Sequence, residues 1–256
     1  MIFNPILTMI RKLAKSIVPP PIWNRLGNLR RDWITRDDDK LSPREVFSRI
    51  YQKRIWTGDE ELSSGTGSRF FDLVDPYIDA ITRWAETHDG QALTALDLGC
   101  GDFHVGSKVF PHFGKYIAAD IVPILIDNHR NNHIAHNLEF RCVDGIDEEL
   151  PHADVIFIRQ VFQHLSNEQI LKILSKLGQF KHAVISEHLP SPAKLRAKNL
   201  DKIHGGGIRL GQGSGVYLED QPFSLKAFEA TALLELTHGP NADVEGLIVT
   251  THYRLQ

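Results

Sequence analysis

The sequence predicts an α/β domain built around a mostly parallel sheet. Short apolar segments alternate along the chain with segments of helical periodicity, which is the pattern of βαβ units. The first apolar segment runs directly into a glycine-rich turn, a junction typical of α/β sheets that bind a ligand. The last two apolar segments are separated by only a short turn, beginning at His238, which predicts a closing antiparallel hairpin.

Composition limits the classes of protein that need to be considered. With 256 residues, the chain can form one substantial domain plus an extension. Its net charge of −3 gives no basic excess for a nucleic-acid partner. Two cysteines, Cys100 and Cys142, lack metal-ligand spacing and suit a reducing compartment, so we expect no metal site. No apolar run approaches the ~20 residues of a membrane-spanning helix, and no signal peptide is evident. These features together predict a cytoplasmic protein.

Residues 1–41 are predicted to form an amphipathic N-terminal extension and a linker. Its apolar stripe, at helical spacing, consists of Ile6, Ile10, Leu13 and Ile17. Arg11, Lys12 and Lys15 lie on the other side of that helix, and 36–40 is a charged linker. Such a segment can lie on an anionic membrane surface, pack on a second copy in a homodimer, or pack on the domain itself. The short stripe and the slightly negative net charge favour packing on protein.

The domain itself is predicted to span residues 42–256. Ser42-Pro43-Arg44-Glu45 predicts a capped helix start, and the helix leads to a glycine- and hydroxyl-rich loop at 63–68. A second helix is expected at 69–86. The predicted strands are 92–98, 116–120, 138–142, 154–158, 182–187, 231–237 and 246–255. The remaining predicted helices are 105–112, 122–135, 167–177 and 224–229.

The turn after the first strand indicates the kind of ligand. Gly99 and Gly101 allow backbone to approach a ligand closely and direct N–H groups at an anionic group. The acid just before the turn, Asp97, would repel a pyrophosphate but suits a ligand that carries an ammonium group. His104 stands where the nicotinamide fingerprint has its third glycine. The turn therefore favours a ligand other than a nicotinamide dinucleotide.

Further polar residues follow the next strands, where ligands bind in open α/β sheets. Asp120 lies about 20 residues after the first glycine, the offset at which an acid accepts hydrogen bonds from ribose hydroxyls. Asp144 and Gly145 follow the third strand, and Arg159 ends the fourth. All four are expected to face one cleft.

After the fifth strand, residues 189–222 form a long segment of weak periodicity. So long a loop in a compact domain is usually functional, and this one leaves the cleft edge of the sheet, so we expect an acceptor-binding lid. Glu187 and His188 are the acid/base candidates, and Arg209 is the candidate for binding an anion. Ordinary loop polarity is the alternative for each.

The Asp97–Gly101 segment closely resembles motif I of the class I S-adenosylmethionine-dependent methyltransferases. This resemblance implies a Rossmann-like fold with a seven-stranded, mostly parallel sheet and a C-terminal antiparallel hairpin. It also implies that the glycine turn cradles the methionine end of the cofactor and that Asp144 contacts the adenine amino group, with Gly145 letting backbone approach the ring. The family usually has glycine where Phe103 stands.

Gln163-His164-Leu165 resembles the element that follows the fourth strand in this family. By this resemblance His164 is a candidate base near the methyl group. The alternative is that it only holds backbone at the start of the next helix.

A bacterial subgroup of the family provides two more resemblances. Residues 50–56 followed by Ser64-Gly65-Thr-Gly67-Ser resemble its upstream signature, in which the loop folds over the cofactor. Asn199-Leu-Asp201, with Arg209 and Pro222-Phe223, resembles its acceptor loop. The resemblance implies methyl transfer to an oxygen of a small-molecule or sugar acceptor. A non-catalytic cofactor-binding scaffold and, less favoured, a nicotinamide-dependent oxidoreductase stay as alternatives.

Overall fold

The computed structural model describes residues 37–56, 62–237 and 246–256. Its strands are β1 (Thr94–Leu98), β2 (Lys115–Asp120), β3 (Leu138–Cys142), β4 (Val155–Arg159), β5 (His182–Pro190), β6 (Glu229–Thr237) and β7 (Gly246–Arg254). They form one seven-stranded sheet in the order β3-β2-β1-β4-β5-β7-β6. The first five strands are parallel, whereas β7 pairs antiparallel with both β5 and β6. The predicted fold class is confirmed. The predicted turn at His238 lies outside the described residues.

The α-helices are α1 (Pro43–Gln52), α2 (Phe71–Thr87), α3 (Gly106–Val109), α4 (Pro123–Asn132) and α5 (Asn167–Leu174). The predicted helix at 105–112 is a single α-helical stretch continued by a 3-10 turn at Phe110–His112. The predicted helix at 224–229 is wrong. Ser224 has a positive φ of 46°, and Glu229 already begins β6.

The start of α1 follows from its sequence. Ser42 Oγ accepts a hydrogen bond from Glu45 N, and the Glu45 carboxylate accepts one from Ser42 N at 2.8 Å. This reciprocal capping box satisfies N–H groups that have no partner within the helix, and Pro43 fits the first helical position. The buried residues on this helix include Val46 and Ile50, so its apolar face packs on the sheet.

The core lies on both faces of the sheet because side chains alternate along each strand. Leu96 and Leu98 pack in one cluster with α1 and α5. Ala95 packs in the other cluster, with Trp84 of α2. Asp97 lies two residues after Ala95 in β1, so its side chain is on the same face of the sheet, which α2 covers. The sheet therefore offers its carboxyl edge, rather than a face, for a ligand.

Strand β5 is longer than predicted because β7 pairs with it over nine residues, from His182↔Arg254 to Pro190↔Gly246. As a result, His188 lies within the sheet, next to Glu187, and not in the loop that follows it.

The described part of the predicted linker packs against the domain. Asp38–Lys40 forms a 3-10 turn, and the buried Asp38 carboxylate pairs with Arg49 of α1. Leu41 O accepts a hydrogen bond from His204 Nε2 at 3.0 Å. Residues 1–36, with the predicted amphipathic helix, lie outside the described residues. Among the helices that the structure describes, none has the length and apolar character needed to cross a bilayer.

Candidate functional site

The turn between β1 and α3 requires its two glycines for both conformation and space. Gly99 and Gly101 have φ values of +80° and +55°, a region that residues with side chains rarely adopt. A Cβ atom on Gly99 would lie 2.5 Å from Val161 Cγ2, and one on Gly101 would overlap Ser64 Oγ. The turn is therefore packed closely between the segment after β4 and the loop at 62–68.

Phe103 occupies the position where the family usually has glycine, yet the backbone keeps the left-handed conformation, with φ +56°. That conformation costs about 1–2 kcal/mol in a residue with a side chain. The ring is only 1% exposed and meets Phe140 edge to face at 4.9 Å between centroids, so its burial offsets the cost. A Cβ atom on Gly106 would lie 2.5 Å from the Phe103 ring, so this glycine makes room for it.

Asp97 lies beneath the turn in a largely dry environment. Burial raises the pKa of Asp97 to about 7, against the opposing effects of a hydrogen bond with Tyr116 and of the charge on Arg159. The Arg159 guanidinium lies 5.2 Å from the centroid of the Tyr77 ring, and its Nη2 donates to Gly67 O at 3.3 Å. An acid and a guanidinium side by side match the ammonium and carboxylate of an amino acid.

Asp120 ties the end of β2 to the glycine turn. Its Oδ2 accepts from Gly101 N and its Oδ1 from Val122 N, both at 2.9 Å. Burial raises its pKa against the effect of these hydrogen bonds. The backbone N–H of Ile121 is a third donor to this carboxylate, which keeps acceptor capacity for a ligand hydroxyl because each oxygen accepts up to two hydrogen bonds.

Asp144 and Gly145 follow β3, at the same edge of the sheet. Asp144 Oδ1 accepts from Ile146 N at 2.9 Å, which closes a tight turn. A Cβ atom on Gly145 would lie 3.0 Å from both methyl groups of Leu98, so backbone here lies against the end of β1.

The loop at 62–68 lies directly on the glycine turn. Ser64 Oγ accepts from Asp102 N at 2.7 Å and forms a hydrogen bond of 2.8 Å with the Tyr51 hydroxyl. Gly65 has a φ of +95°, which only glycine adopts readily. The structure therefore brings together the residues that were predicted to hold the cofactor. These are Asp97, Gly99, Gly101, Asp120, Asp144, Gly145, Arg159, Ser64, Gly65 and Gly67.

Asp102 and Tyr51 were not among the predicted site residues. Asp102 directly follows the glycine turn, and that adjacency is the signal by which it could have been found. Tyr51 lies within the predicted upstream signature at 50–56, without a role assigned to it.

His164 lies between aromatic rings from the N-terminal part of the domain. Its ring centroid is 5.1 Å from that of Trp56 and 6.5 Å from that of Phe47. Burial lowers the pKa of His164 to about 4, so the imidazole is neutral at pH 7. Nδ1 lies 3.2 Å from Gly205 O, which assigns the ring proton to Nδ1 and a lone pair to Nε2. The ring therefore holds loop backbone and also carries a basic nitrogen.

Glu187 supports the turn after β4. Its carboxylate oxygens accept from Phe162 N and Gln163 N, both at 3.1 Å. Burial raises its pKa to about 8, against the opposing charge of Arg209. His188 is buried in β5 opposite Ile248. The strand was predicted to end at Glu187, and the pairing with β7 continues it past His188 to Pro190. Their acid/base roles stay predictions.

Arg209 is a structural residue. It is 1% exposed and donates to Leu200 O, Phe162 O, Leu165 O and Asn167 Oδ1 at 2.7–3.0 Å. With the guanidinium buried and its donors engaged, the predicted role in binding a substrate anion is corrected.

Asn199 and Asp201 serve the same loop. Asn199 Nδ2 donates to two backbone carbonyls, those of Tyr217 and Gln221, at 2.8 and 2.9 Å. Asp201 Oδ1 accepts from Asn167 N, the first residue of α5, at 2.7 Å. These side chains satisfy backbone groups of the loop and of a helix end. Asp201 is also exposed, and the role of both residues in substrate binding stays a prediction.

An open groove of about 450 Å³ runs beside this loop and the start of α5. Its lining residues are Asp39, Ser166, Glu168, Asp201, Lys202, Ile203 and His204. Within the described ranges, no group of three or more His, Cys, Asp or Glu side chains is arranged to hold a metal ion.

Comparison with known proteins finds a methyltransferase domain in part of the chain. Residues 96–180 match a family model described as "Methyltransferase domain". The match begins in β1 and covers the glycine turn, Asp120, Asp144 and Arg159. No curated protein sequence matches the chain.

Solved structures with the same fold include three that hold a cofactor or its product. The N-terminal domain of EvdMO1 with S-adenosylhomocysteine bound has a TM-score of 0.53 at 15% identity, covering 84% of this chain and 98% of that one. N-methyltransferase NodS from Bradyrhizobium japonicum WM9, in complex with S-adenosylhomocysteine, has 0.50 at 14%, covering 74% and 93%. Magnesium protoporphyrin IX methyltransferase from Synechocystis PCC 6803, with bound S-adenosylmethionine, has 0.50 at 11%, covering 82% and 97%. At these identities the likeness shows the fold alone.

The seven-stranded fold and the matched methyltransferase domain agree with each other, and the nicotinamide oxidoreductase alternative finds no support. The protein therefore carries a match to a methyltransferase domain over residues 96–180, within a seven-stranded sheet of Rossmann-like type.

Proposed function

We propose that the protein transfers a methyl group from S-adenosylmethionine to an oxygen of a small-molecule or saccharide acceptor. The observation that carries this proposal is the convergence, at the carboxyl edge of β1–β4, of an ammonium-compatible acid, a glycine turn and two further acids. The subgroup resemblance supports the oxygen acceptor, and so does the state of His164.

Each chemical group of S-adenosylmethionine has a residue at this edge of the sheet that suits it. Asp97 suits the ammonium of the methionine end, and the neighbouring Arg159 suits its carboxylate. Asp120 suits the ribose hydroxyls, because its carboxylate keeps acceptor capacity beside its hydrogen bonds to backbone. Asp144 suits the adenine amino group, and Gly145 leaves backbone accessible beside it. When bound, the cofactor supplies a methyl group already activated by a sulfonium charge, so the protein mainly aligns the reactants and excludes water.

A hydroxyl acceptor requires a base unless its proton leaves readily, and His164 is our candidate for that base. Its pKa of about 4 keeps the ring neutral at physiological pH, with the lone pair on Nε2. In this role Nε2 would accept the hydroxyl proton as the acceptor oxygen gains the methyl group, so the positive charge that the cofactor brings would pass to the imidazole.

Trp56 supports a saccharide as the acceptor. Its ring packs beside His164, and the polar loop at 189–222 lies next to both. A sugar has an apolar ring face that stacks on an aromatic side chain and hydroxyls that bind polar groups.

The test is a cofactor-consumption assay with a panel of sugar, other hydroxyl and amine acceptors. We expect turnover with hydroxyl acceptors and a 10²- to 10⁴-fold lower kcat in His164→Gln, the range for loss of a general base, with S-adenosylhomocysteine affinity retained. The wild-type rate should not show an inflection near pH 6.5, because the pKa of His164 lies well below that value. His136→Gln, at an exposed histidine, is the matched control.

Two results would contradict the proposal. Tight NAD binding with no binding of S-adenosylhomocysteine would remove the cofactor assignment. Turnover confined to amine acceptors would remove the oxygen assignment while leaving the cofactor assignment intact.

A further inference from the structure

Asp102 fastens the loop at 62–68 to the glycine turn. Its Oδ2 accepts from Ser64 N at 3.0 Å, from Ser68 Oγ at 3.3 Å and from Arg69 Nε at 3.4 Å. Its Oδ1 accepts from His104 N at 3.2 Å, which fixes the carboxylate plane. The side chain is only 5% exposed. Hydrogen bonds to a charged group are the stronger kind, so this carboxylate is a firm attachment.

Asp102 also donates a hydrogen bond to the loop, from its backbone N–H. Asp102 N donates to Ser64 Oγ at 2.7 Å, so Ser64 and Asp102 are joined by two reciprocal hydrogen bonds. The Tyr51 hydroxyl holds the same Ser64 oxygen from the side of α1. Since a Cβ atom on Gly101 would overlap Ser64 Oγ, the loop and the turn are in direct contact. The loop therefore covers the part of the turn that faces the cleft.

Beyond these hydrogen bonds, Leu62 packs against the hydrophobic core and Ser63 is buried. Gly65 and Gly67 give it conformational freedom, and its regular structure is a single 3-10 turn at Thr66–Ser68. Arg159 adds one hydrogen bond, to Gly67 O. A segment of this kind opens at low free energy unless side chains tie it down. Asp102 is the side chain that forms most of the hydrogen bonds to this loop.

We infer that Asp102 is a positioning residue that keeps the loop closed over the bound cofactor and thereby slows cofactor dissociation. This inference rests on the proposed cofactor site. Asp102 acts through Ser64 and Ser68. The expected signature of its loss is a faster off-rate with a nearly unchanged on-rate, because entry to the site does not require the closed loop.

The experiment measures S-adenosylhomocysteine association and dissociation rates by stopped flow for the wild type, Asp102→Ala and Asp102→Asn. We expect dissociation to be about tenfold faster or more in Asp102→Ala, with an association rate within about threefold of wild type. Asp102→Asn should be intermediate, because the amide oxygen still accepts hydrogen bonds but carries no charge. Asp75→Ala, at an exposed acid of α2, is the control.

Hydrogen exchange provides the second readout. Residues 62–70 should be protected by the ligand in the wild type and should lose that protection in Asp102→Ala. If Asp102→Ala does not fold, Ser68→Ala removes a hydroxyl that donates to the Asp102 carboxylate, and Ser64→Ala removes the hydroxyl that accepts from Asp102 N. Each should speed dissociation by a smaller factor. The effects of Ser64→Ala and Asp102→Asn should not be additive, since two reciprocal hydrogen bonds join these residues.

The inference would be overturned if every one of these variants had the same dissociation rate and the same hydrogen exchange as the wild type. Failure of the proposed function looks different, because the wild type itself would then not bind S-adenosylhomocysteine. In that case the ligand-free proteins still test the role of Asp102. Equal hydrogen-exchange rates of residues 62–70 in the wild type and in Asp102→Ala would show that Asp102 does not hold the loop.

Discussion

Two regions border the cleft, and the sequence describes them with different success. The cofactor edge comprises the ends of β1–β4 with the loop at 62–68. The acceptor loop, named for the role that we propose for it, comprises residues 189–222. At the cofactor edge, residues chosen from the sequence, such as Asp97 and Asp120, lie together in the structure. In the acceptor loop, Asn199, Asp201 and Arg209 instead hold the loop itself together.

The difference shows what polar residues do in a long loop. Loop backbone inside a domain has no helix or strand partners, so side chains must satisfy it. Arg209 alone joins the carbonyl of Leu200 in the loop to those of Phe162 and Leu165 in the turn after β4. A polar residue in a long loop therefore indicates substrate binding only if its own hydrogen-bonding groups remain unused.

The largest expected effect tests the acceptor loop. Arg209→Ala leaves several buried carbonyls unsatisfied, so the free energy of unfolding should fall by about 3–5 kcal/mol, measured by urea denaturation. Arg196→Ala, at an exposed arginine of the same loop, should change it by no more than about 0.5 kcal/mol. A stable Arg209→Ala protein that has lost only acceptor affinity would restore the substrate-binding interpretation and break the comparison.

The second effect tests the cofactor edge. Asp120→Ala removes a charged hydrogen-bond acceptor, so S-adenosylhomocysteine should bind more weakly by about 1.5–3 kcal/mol in calorimetry. Asp127→Ala, at an exposed acid of α4, should leave the affinity unchanged. Equal affinities in the two variants would mean that Asp120 only ties β2 to the glycine turn.

A third prediction uses the raised pKa of Asp97. In the free protein this carboxyl is mostly protonated below pH 7 and mostly ionised above it. A ligand ammonium favours the ionised form, so S-adenosylhomocysteine affinity should rise about tenfold between pH 6 and pH 8. Asp97→Asn should bind weakly and show a flat pH profile over that range. A wild-type affinity that falls with rising pH would place the ammonium elsewhere.

The smallest effect concerns the predicted N-terminal extension, which belongs to neither region. Deleting residues 1–34 should change S-adenosylhomocysteine affinity by less than about twofold while altering solubility or oligomeric state, measured by light scattering. Anionic vesicles give the opposing test. Salt-sensitive vesicle binding by the full chain, lost on truncation, would show that the stripe serves a membrane surface.

The sequence alone determined the features that depend on neighbours along the chain. The capping box of Ser42 and Glu45 and the glycine turn at 99–101 involve residues within a few positions of each other. Strand existence follows from apolar runs, and all seven predicted strands are present, with ends shifted by at most three residues. Even Phe103 keeps the backbone conformation of the glycine that it replaces.

Only the tertiary structure decided the features that depend on distant partners. Pairing with β7 extends β5 beyond its predicted end at Glu187 and brings His188 into the sheet. The contact of Glu187 with the turn after β4 also forms only on folding. Asp102 forms a hydrogen bond with Ser64, which is 38 residues away along the chain, and Arg209 forms one with Phe162, which is 47 residues away. The physical reason is that a local sequence pattern determines only the conformational preference of a residue. Its burial and its hydrogen-bond partners, which define its role, depend on chain segments that meet only on folding.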